Sequence, residues 1–118
     1  MAESIKDKVA VIGVGCTPFG EQWDKSVSDL LVDATHEALE DAGVELKDID
    51  AAWVGHWCET SGMTGLGLSG SLGLQYKPVT RIENACATGS DCLRNAAYSV
   101  ACGVNDRVLV VGAEKLKD

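Results

Sequence analysis

The sequence has little of several features on which common functions depend. Only 10 Lys and Arg residues stand against 18 Asp and Glu, which gives a formal net charge of −8. Because nucleic-acid backbones are bound by clustered Lys and Arg, this balance argues against a nucleic-acid partner. No apolar run approaches the roughly 20 residues of a membrane-spanning helix, and the first residues lack an apolar signal segment. We therefore expect a cytoplasmic protein without a membrane span.

Metal-site and disulfide patterns are also scarce. The chain has no Cys-x-x-Cys pair and two histidines, His36 and His56, which disfavours a zinc ribbon or a thioredoxin-type site and predicts no metal. Without a secretory signal, free thiols are expected rather than disulfides. Most free cysteines are small core residues, so a reactive one needs a special setting. The five cysteines are at positions 16, 58, 86, 92 and 102.

The sequence does contain alternating strand-like and helix-like segments. The predicted strands cover residues 9–15, 50–55, 79–83 and 108–112, and the clearest helices cover 26–42, capped by Ser26 or Ser28, and 90–102. Gly43 is placed to end the first helix, whose acidic residues are expected to face solvent. This order predicts an α/β fold with a mostly parallel sheet and helices on both faces. No linker interrupts it, so residues 1–118 are expected to form one folding unit.

A glycine-rich stretch at 62–74 allows two interpretations. Such runs can hold phosphates, but this one lacks the G-x-x-x-x-G-K-[ST] pattern and contains no Lys or Arg. A loosely wound helix packed close to other backbone is therefore favoured over a nucleotide loop.

The most informative segment is Glu83-Asn-Ala-Cys86-Ala-Thr-Gly-Ser90. It predicts a strand end, a tight turn and a helix start, the position at which active sites of open α/β sheets gather. A thiol at a helix N-terminus is favoured as the nucleophilic thiolate, and the small neighbours would admit a substrate. Cys86 is thus a candidate nucleophile for acyl transfer, with a structural cysteine as the alternative. Cys92 and Cys102 are predicted to lie in the core.

Three segments together resemble thiolases, especially the sterol-carrier-protein-type and acetyl-CoA acetyltransferase branch. Asn84-Ala-Cys86-Ala-Thr-Gly-Ser90 resembles the nucleophile motif of that family. Val9-Ala-Val-Ile-Gly-Val-Gly-Cys-Thr-Pro-Phe-Gly20 resembles its opening strand and turn, and Val108-Leu-Val-Val-Gly-Ala-Glu-Lys115 resembles the strand after the nucleophile helix. The resemblance covers nearly the whole chain, in the family's order.

The resemblance implies a function and a set of partners. Cys86 would be acylated by an acyl-CoA, and a second, deprotonated acyl-CoA would attack to form a 3-ketoacyl-CoA, with thiolysis as the reverse. Family members use no metal and no redox cofactor, so acyl-CoA is the substrate carrier and no cofactor is expected. The family also implies an oligomer, with residues 79–83 near a two-fold interface.

The same resemblance implies that residues 1–118 are the N-terminal half of a larger fold. Thiolases take an activating histidine and a second cysteine from C-terminal motifs that this sequence lacks. His36-Glu-Ala-Leu39 and Gly55-His56-Trp57 resemble those motifs only superficially, and both histidines are expected to be structural or solvent-facing. The full five-layer αβαβα fold, with the substrate loops, would need a C-terminal half or partner subunit, and this chain alone is expected to be inactive.

Two other functions stay open from the sequence. A non-catalytic thiolase-like interaction subunit would keep the fold with Cys86 as a relic. A ketoacyl-synthase-type condensing enzyme, which uses acyl carrier protein, shares the Cys-Ala-Thr-Gly motif.

Overall fold

The computed structural model describes residues 4–57 and 65–117. Within them the helices are α1 (Val27–Ala42), α2 (Leu66–Leu72) and α3 (Thr88–Ala101), and the strands are β1 (Ala51–Gly55), β2 (Val79–Ile82) and β3 (Val108–Gly112). Two short 3-10 turns cover Leu46–Asp48 and Ala85–Ala87. The predicted α/β class is confirmed. None of these helices is long and apolar enough to cross a bilayer.

The strands form one parallel sheet in the order β2-β1-β3, as the alternation of strands and helices predicts. Gly55 at the end of β1 is paired in register with Ile82 of β2 and with Gly112 of β3. The three carboxyl ends therefore meet at one edge of the sheet. The segments that follow, at residues 56–57, 83–87 and 113–117, lie along that edge.

Helix α1 begins and ends where local sequence signals place it. Of the two candidate caps it is Ser26 that acts, because its hydroxyl accepts from the Asp29 N–H while the Asp29 carboxylate accepts from the Ser26 N–H at 2.8 Å. The Ser26 hydroxyl also donates to the Asp29 carboxylate at 2.7 Å, and this hydrogen bond, followed by the one from the Ser26 N–H, lowers the pKa of Asp29. Gly43 ends the helix in the left-handed region, at φ 66° and ψ 32°.

Helices cover both faces of the sheet. Alternate residues of β1 and β3 join α1 and α2 in a continuous apolar core. The other set faces α3, since a Cβ built on Gly55 would lie 2.9 Å from Thr88 Cγ2. The core residues are Leu31, Leu39, Ile49, Ala52, Val54, Leu68, Leu72, Leu74, Leu109 and Val111.

The predicted strand at 9–15 is wrong: this segment forms no strand and pairs with none of the strands within 4–57 and 65–117. Its glycines lie against α1, because a Cβ on Gly13 would come 2.3 Å from the Ala38 carbonyl oxygen. The Val14 N–H donates to the Asp41 carboxylate at 2.9 Å, and the Cys16 N–H donates to Glu37 at 3.1 Å. Helix carboxylates thus satisfy backbone donors that a fourth strand would have directed to a sheet. The sheet has three described strands instead of the four expected.

The glycine-rich stretch forms a short helix, as favoured, over its described part. Gly65, before α2, lies so close to β2 that an added Cβ would be 2.4 Å from the Val79 carbonyl oxygen. Gly73 ends the helix in the left-handed region, at φ 66°. Residues 62–64 of that stretch lie outside the described residues.

Two cysteines predicted to be core residues differ. Cys92 is 1% exposed on α3 and confirms the expectation. Cys102 is exposed, so that prediction is wrong. Cys102 is the C-cap residue that follows the last residue of α3, so the helical periodicity that directs side chains of α3 toward the sheet does not extend to it.

Candidate active site

Cys86 lies where the sequence predicts it, in the 3-10 turn between β2 and α3. The turn is at the carboxyl edge of the sheet, the usual position of ligand sites in open parallel sheets. Its thiol is free and its side chain is exposed. The helix that follows directs the positive end of its dipole toward the turn. An accessible sulfur in this setting can act as a nucleophile.

The turn has unusual backbone geometry. Ala85, immediately before Cys86, has φ 45°, in the left-handed region that side chains other than glycine rarely adopt. The preceding Asn84, with φ −153° and ψ 50°, lies outside the regular regions too. Such a conformation costs about 1–3 kcal/mol and persists only where its surroundings hold it. The Glu83 carboxylate accepts from the Ala85 N–H at 2.7 Å, which is one such restraint.

A cavity of about 440 Å³ adjoins Cys86. Strand-end glycines leave room for it: a Cβ on Gly55 would lie 3.1 Å from Cys92 Sγ, and a Cβ on Gly112 would lie 3.1 Å from the Gly55 carbonyl oxygen. The remaining lining is largely apolar. The cavity is lined by Gly55, Trp57, Ala85, Cys86, Thr88, Gly89, Cys92, Val110, Val111, Gly112, Ala113 and Glu114.

Cys92 shares this cavity but differs chemically from Cys86. It is buried on the α3 face, and its desolvation, followed by the charge of Asp91, raises the pKa of the Cys92 thiol. A buried thiol is therefore held in its protonated form at neutral pH, which makes it a poor nucleophile. Of the two cysteines in the cavity, the structure presents Cys86 to reagents and substrates.

The structure does not bring the two histidines into this cavity. His56 is buried, and its Nδ1 lies 2.9 Å from the Ala113 carbonyl oxygen, joining the segments after β1 and β3. The Arg81 guanidinium donates to the His56 carbonyl oxygen at 3.4 Å. His36 is exposed on α1. These positions agree with the structural and solvent-facing interpretations of the two residues.

Several site residues were missed by sequence reasoning. The Glu114 carboxylate accepts a hydrogen bond from the Trp57 N–H, so the segments after β1 and β3 meet at the cavity mouth. Thr88 lies buried beneath the turn. The glycines that end β1 and β3 were the sequence feature from which a cavity at this edge of the sheet could have been predicted. Within 4–57 and 65–117, no group of three or more His, Cys, Asp or Glu side chains could hold a metal ion.

Comparison with known proteins places this geometry in context. The family model for the thiolase N-terminal domain matches residues 9–118. Acetyl-CoA acetyltransferase of Methanocaldococcus jannaschii is 46% identical over 116 residues, covering 93% of this chain and 29% of the relative. Sterol carrier protein 2 of Gallus gallus is 34% identical, covering 98% of this chain and 21% of the relative. The chain thus spans less than a third of the length of the curated relatives it matches.

Solved structures show the same fold. The priming β-ketosynthase of the R1128 polyketide pathway superposes with a TM-score of 0.74 and 29% identity, covering 82% of this chain and 30% of that one. The 3-oxoacyl-[acyl-carrier-protein] synthase III of Aquifex aeolicus VF5 superposes with a TM-score of 0.72 and 22% identity, covering 79% and 31%. The second likeness shows the fold alone.

Proposed function

Because this chain belongs to the thiolase N-terminal domain family, we propose that it carries the nucleophile of an enzyme that transfers acyl groups between CoA thioesters. The observation that carries the proposal is the exposed thiol of Cys86, at the carboxyl edge of the sheet and beside a largely apolar cavity. The parent reaction is acetyl-CoA condensation or 3-ketoacyl-CoA thiolysis.

The chemistry proceeds through an acyl-cysteine. The Cys86 thiolate attacks the thioester carbonyl carbon, a new carbon–sulfur bond forms, and CoA leaves as its thiolate and takes up a proton. A second acyl-CoA, deprotonated at its α-carbon, then attacks the acyl group and releases Cys86. The positive end of α3 stabilises the negative charge that develops on the thioester oxygen.

This chain supplies one part of that machinery. Neither His36 nor His56 is in the cavity, so this chain offers no histidine to act as the base that activates Cys86 or as the acid–base group for the second substrate. We assign them to the C-terminal part of the family fold, carried by a longer chain or by a partner subunit. Residues 1–118 then form an incomplete N-terminal domain that shows no turnover alone.

The test is reconstitution with the C-terminal part of a relative. The completed protein should transfer acyl groups from acetyl-CoA, and Cys86→Ser should lower kcat by about 10³-fold or more. Cys102→Ser is the matched control, since Cys102 is also exposed but lies at the far end of α3. Unchanged transfer by Cys86→Ser would contradict the nucleophile and support the non-catalytic subunit with a relic cysteine.

A condensing enzyme acting on acyl carrier protein is the second candidate. The 29% identity to the R1128 priming β-ketosynthase over 82% of this chain favours it. The reconstituted protein separates the two when offered acceptors linked to CoA and to acyl carrier protein. Transfer only to the carrier-protein acceptor would support the synthase and contradict the thiolase assignment.

The proposed enzyme is also an oligomer located in the cytoplasm. Strand β2 lies at an edge of the sheet, next to the nucleophile turn, so a second copy can approach along it. Small-angle scattering of the reconstituted protein should therefore show a dimer or larger assembly. A monodisperse monomer would contradict the interface.

A further inference from the structure

Thr88 is the buried anchor of an otherwise exposed turn. It is 9% exposed and opens α3, whereas residues 83–87 before it are all exposed. Its side chain methyl lies toward β1, since a Cβ on Gly55 would come within 2.9 Å of Thr88 Cγ2. A β-branched side chain has few χ1 rotamers, so contact at the methyl also fixes the direction of the hydroxyl.

The Thr88 hydroxyl makes two hydrogen bonds back to the turn. It accepts from the Asn84 N–H at 2.8 Å and donates to the Ala85 carbonyl oxygen at 2.7 Å. These two backbone groups are at opposite ends of the Asn84–Ala85 pair, whose backbone angles are the unusual ones in the turn. One hydroxyl thus restrains both ends of the two-residue stretch that leads into Cys86.

The restraint has a direct consequence for the sulfur. Ala85 at φ 45° would relax toward negative φ without it, and rotation there moves Cys86, the next residue. We propose that Thr88 is a positioning residue whose hydroxyl holds the Asn84–Ala85 turn so that the Cys86 thiol lies at the cavity. The proposal rests on the proposed role of Cys86 as nucleophile. Thr88 itself touches no reacting atom in this role.

The matching test uses hydroxyl removal at two buried threonines. Thr88→Val removes the hydroxyl and keeps the shape of the side chain. Thr88→Ala removes the hydroxyl without crowding the turn, and Thr88→Ser keeps the hydroxyl while removing the methyl. Thr35→Val is the control, because Thr35 is fully buried on α1 and its hydroxyl has no hydrogen-bond partner among the residues that the structure describes. Circular dichroism selects the variants that fold.

The readout is the rate of iodoacetamide alkylation at each cysteine of the 118-residue chain, followed by peptide mass mapping. In the wild type, iodoacetamide should alkylate Cys86 faster than Cys102, which is also a free and exposed thiol. Thr88→Val and Thr88→Ala should lower the Cys86-to-Cys102 rate ratio about tenfold or more, while Thr88→Ser and Thr35→Val keep the wild-type ratio. Rescue by Ser identifies the hydroxyl rather than a general loss of packing.

The outcomes separate the two proposals. A wild-type ratio in folded Thr88→Val or Thr88→Ala overturns the positioning role and leaves the nucleophile intact. Equal rates at Cys86 and Cys102 in the wild type overturn the reactive thiol, and the positioning role falls with it. If both hydroxyl-free variants unfold, amide hydrogen exchange of the wild type decides. Protection of the Asn84 N–H, which donates to the Thr88 hydroxyl, supports the role, and exchange as fast as in an unstructured peptide overturns it.

Discussion

The two faces of the sheet are built for different purposes. On one face, leucine, valine and alanine side chains from α1, α2, β1 and β3 form a continuous core together with Ile49 and Leu74. On the other, glycines at the ends of β1 and β3 leave a cavity of about 440 Å³ beneath α3, with Cys86 at its edge. Apolar burial provides most of the folding free energy, whereas a site needs open space. The comparison indicates that stability comes mainly from the first face and reactivity from the second.

The largest effect on stability should come from the filled face. Leu68 is 1% exposed and belongs to the core, so Leu68→Ala should lower the free energy of unfolding by about 2–5 kcal/mol in urea titrations. Leu66→Ala is the control on the same helix, since Leu66 is 73% exposed. Equal losses in the two variants would contradict the assignment of this face as the core.

A side chain at Gly55 should disturb both the packing of α3 on the sheet and the reactivity of the site. Gly55→Val would place atoms against Thr88 and Cys92, and we expect a loss of about 1–3 kcal/mol together with slower alkylation of Cys86. Gly70→Ala is the control, because a Cβ there meets nothing within 4 Å. Unchanged alkylation in a folded Gly55→Val protein would show that the cavity floor has no influence on the thiol.

Acid should lower the free energy of unfolding without selectively altering the site. The Asp50 carboxylate accepts from the Arg107 N–H at 2.9 Å and the Asp106 N–H at 2.8 Å, at the edge of the sheet opposite Cys86. Those bonds lower the pKa of Asp50 from 3.8. Its stabilisation is therefore full above the unfolded pKa and is lost as pH falls through the lower folded value.

Asp50→Asn checks that linkage through thermal melts across an acid series. The variant should be less stable than the wild type at neutral pH, and its melting temperature should fall less below about pH 4. Parallel melting curves of variant and wild type would contradict the linkage.

The smallest expected effect is at the nucleophile itself. Cys86 is exposed, so Cys86→Ala should change the free energy of unfolding by no more than about 0.5 kcal/mol. Cys92→Ala, at a buried position in the same cavity, should cost more than that. A larger loss for Cys86→Ala would mean that Cys86 has the structural role left open by the sequence.

Local signals account for what could be predicted of this fold. Ser26 and Gly43 mark the ends of α1, short apolar runs mark β1 and β3, and the β-branched residues of Val79–Ile82 mark β2. The run at 9–15 has the same apolar, β-branched character in sequence. However, backbone N–H groups of Val14 and Cys16 donate to the Asp41 and Glu37 carboxylates of α1 instead of to a neighbouring strand. Periodicity identifies an extended segment and does not identify its partner.

The candidate site could likewise be predicted from the sequence only in part. Cys86 could be identified because a strand, a turn and a helix start are each predicted by the consecutive residues around it. The left-handed Ala85 and the Thr88 hydroxyl bonds could not, since alanine carries no signal for positive φ. The cavity depends on the register that sets Gly55 opposite Gly112, which only the folded sheet defines.

The measurement that tests the central claim most directly is the site of acylation. The protein completed with a C-terminal part is mixed with acetyl-CoA, quenched in acid before turnover is complete, and mapped by peptide mass spectrometry. The account predicts an acetyl group on Cys86 and none on Cys16, Cys92 or Cys102. An active protein that carries the acetyl group on another residue, or forms no acyl-enzyme, would contradict it.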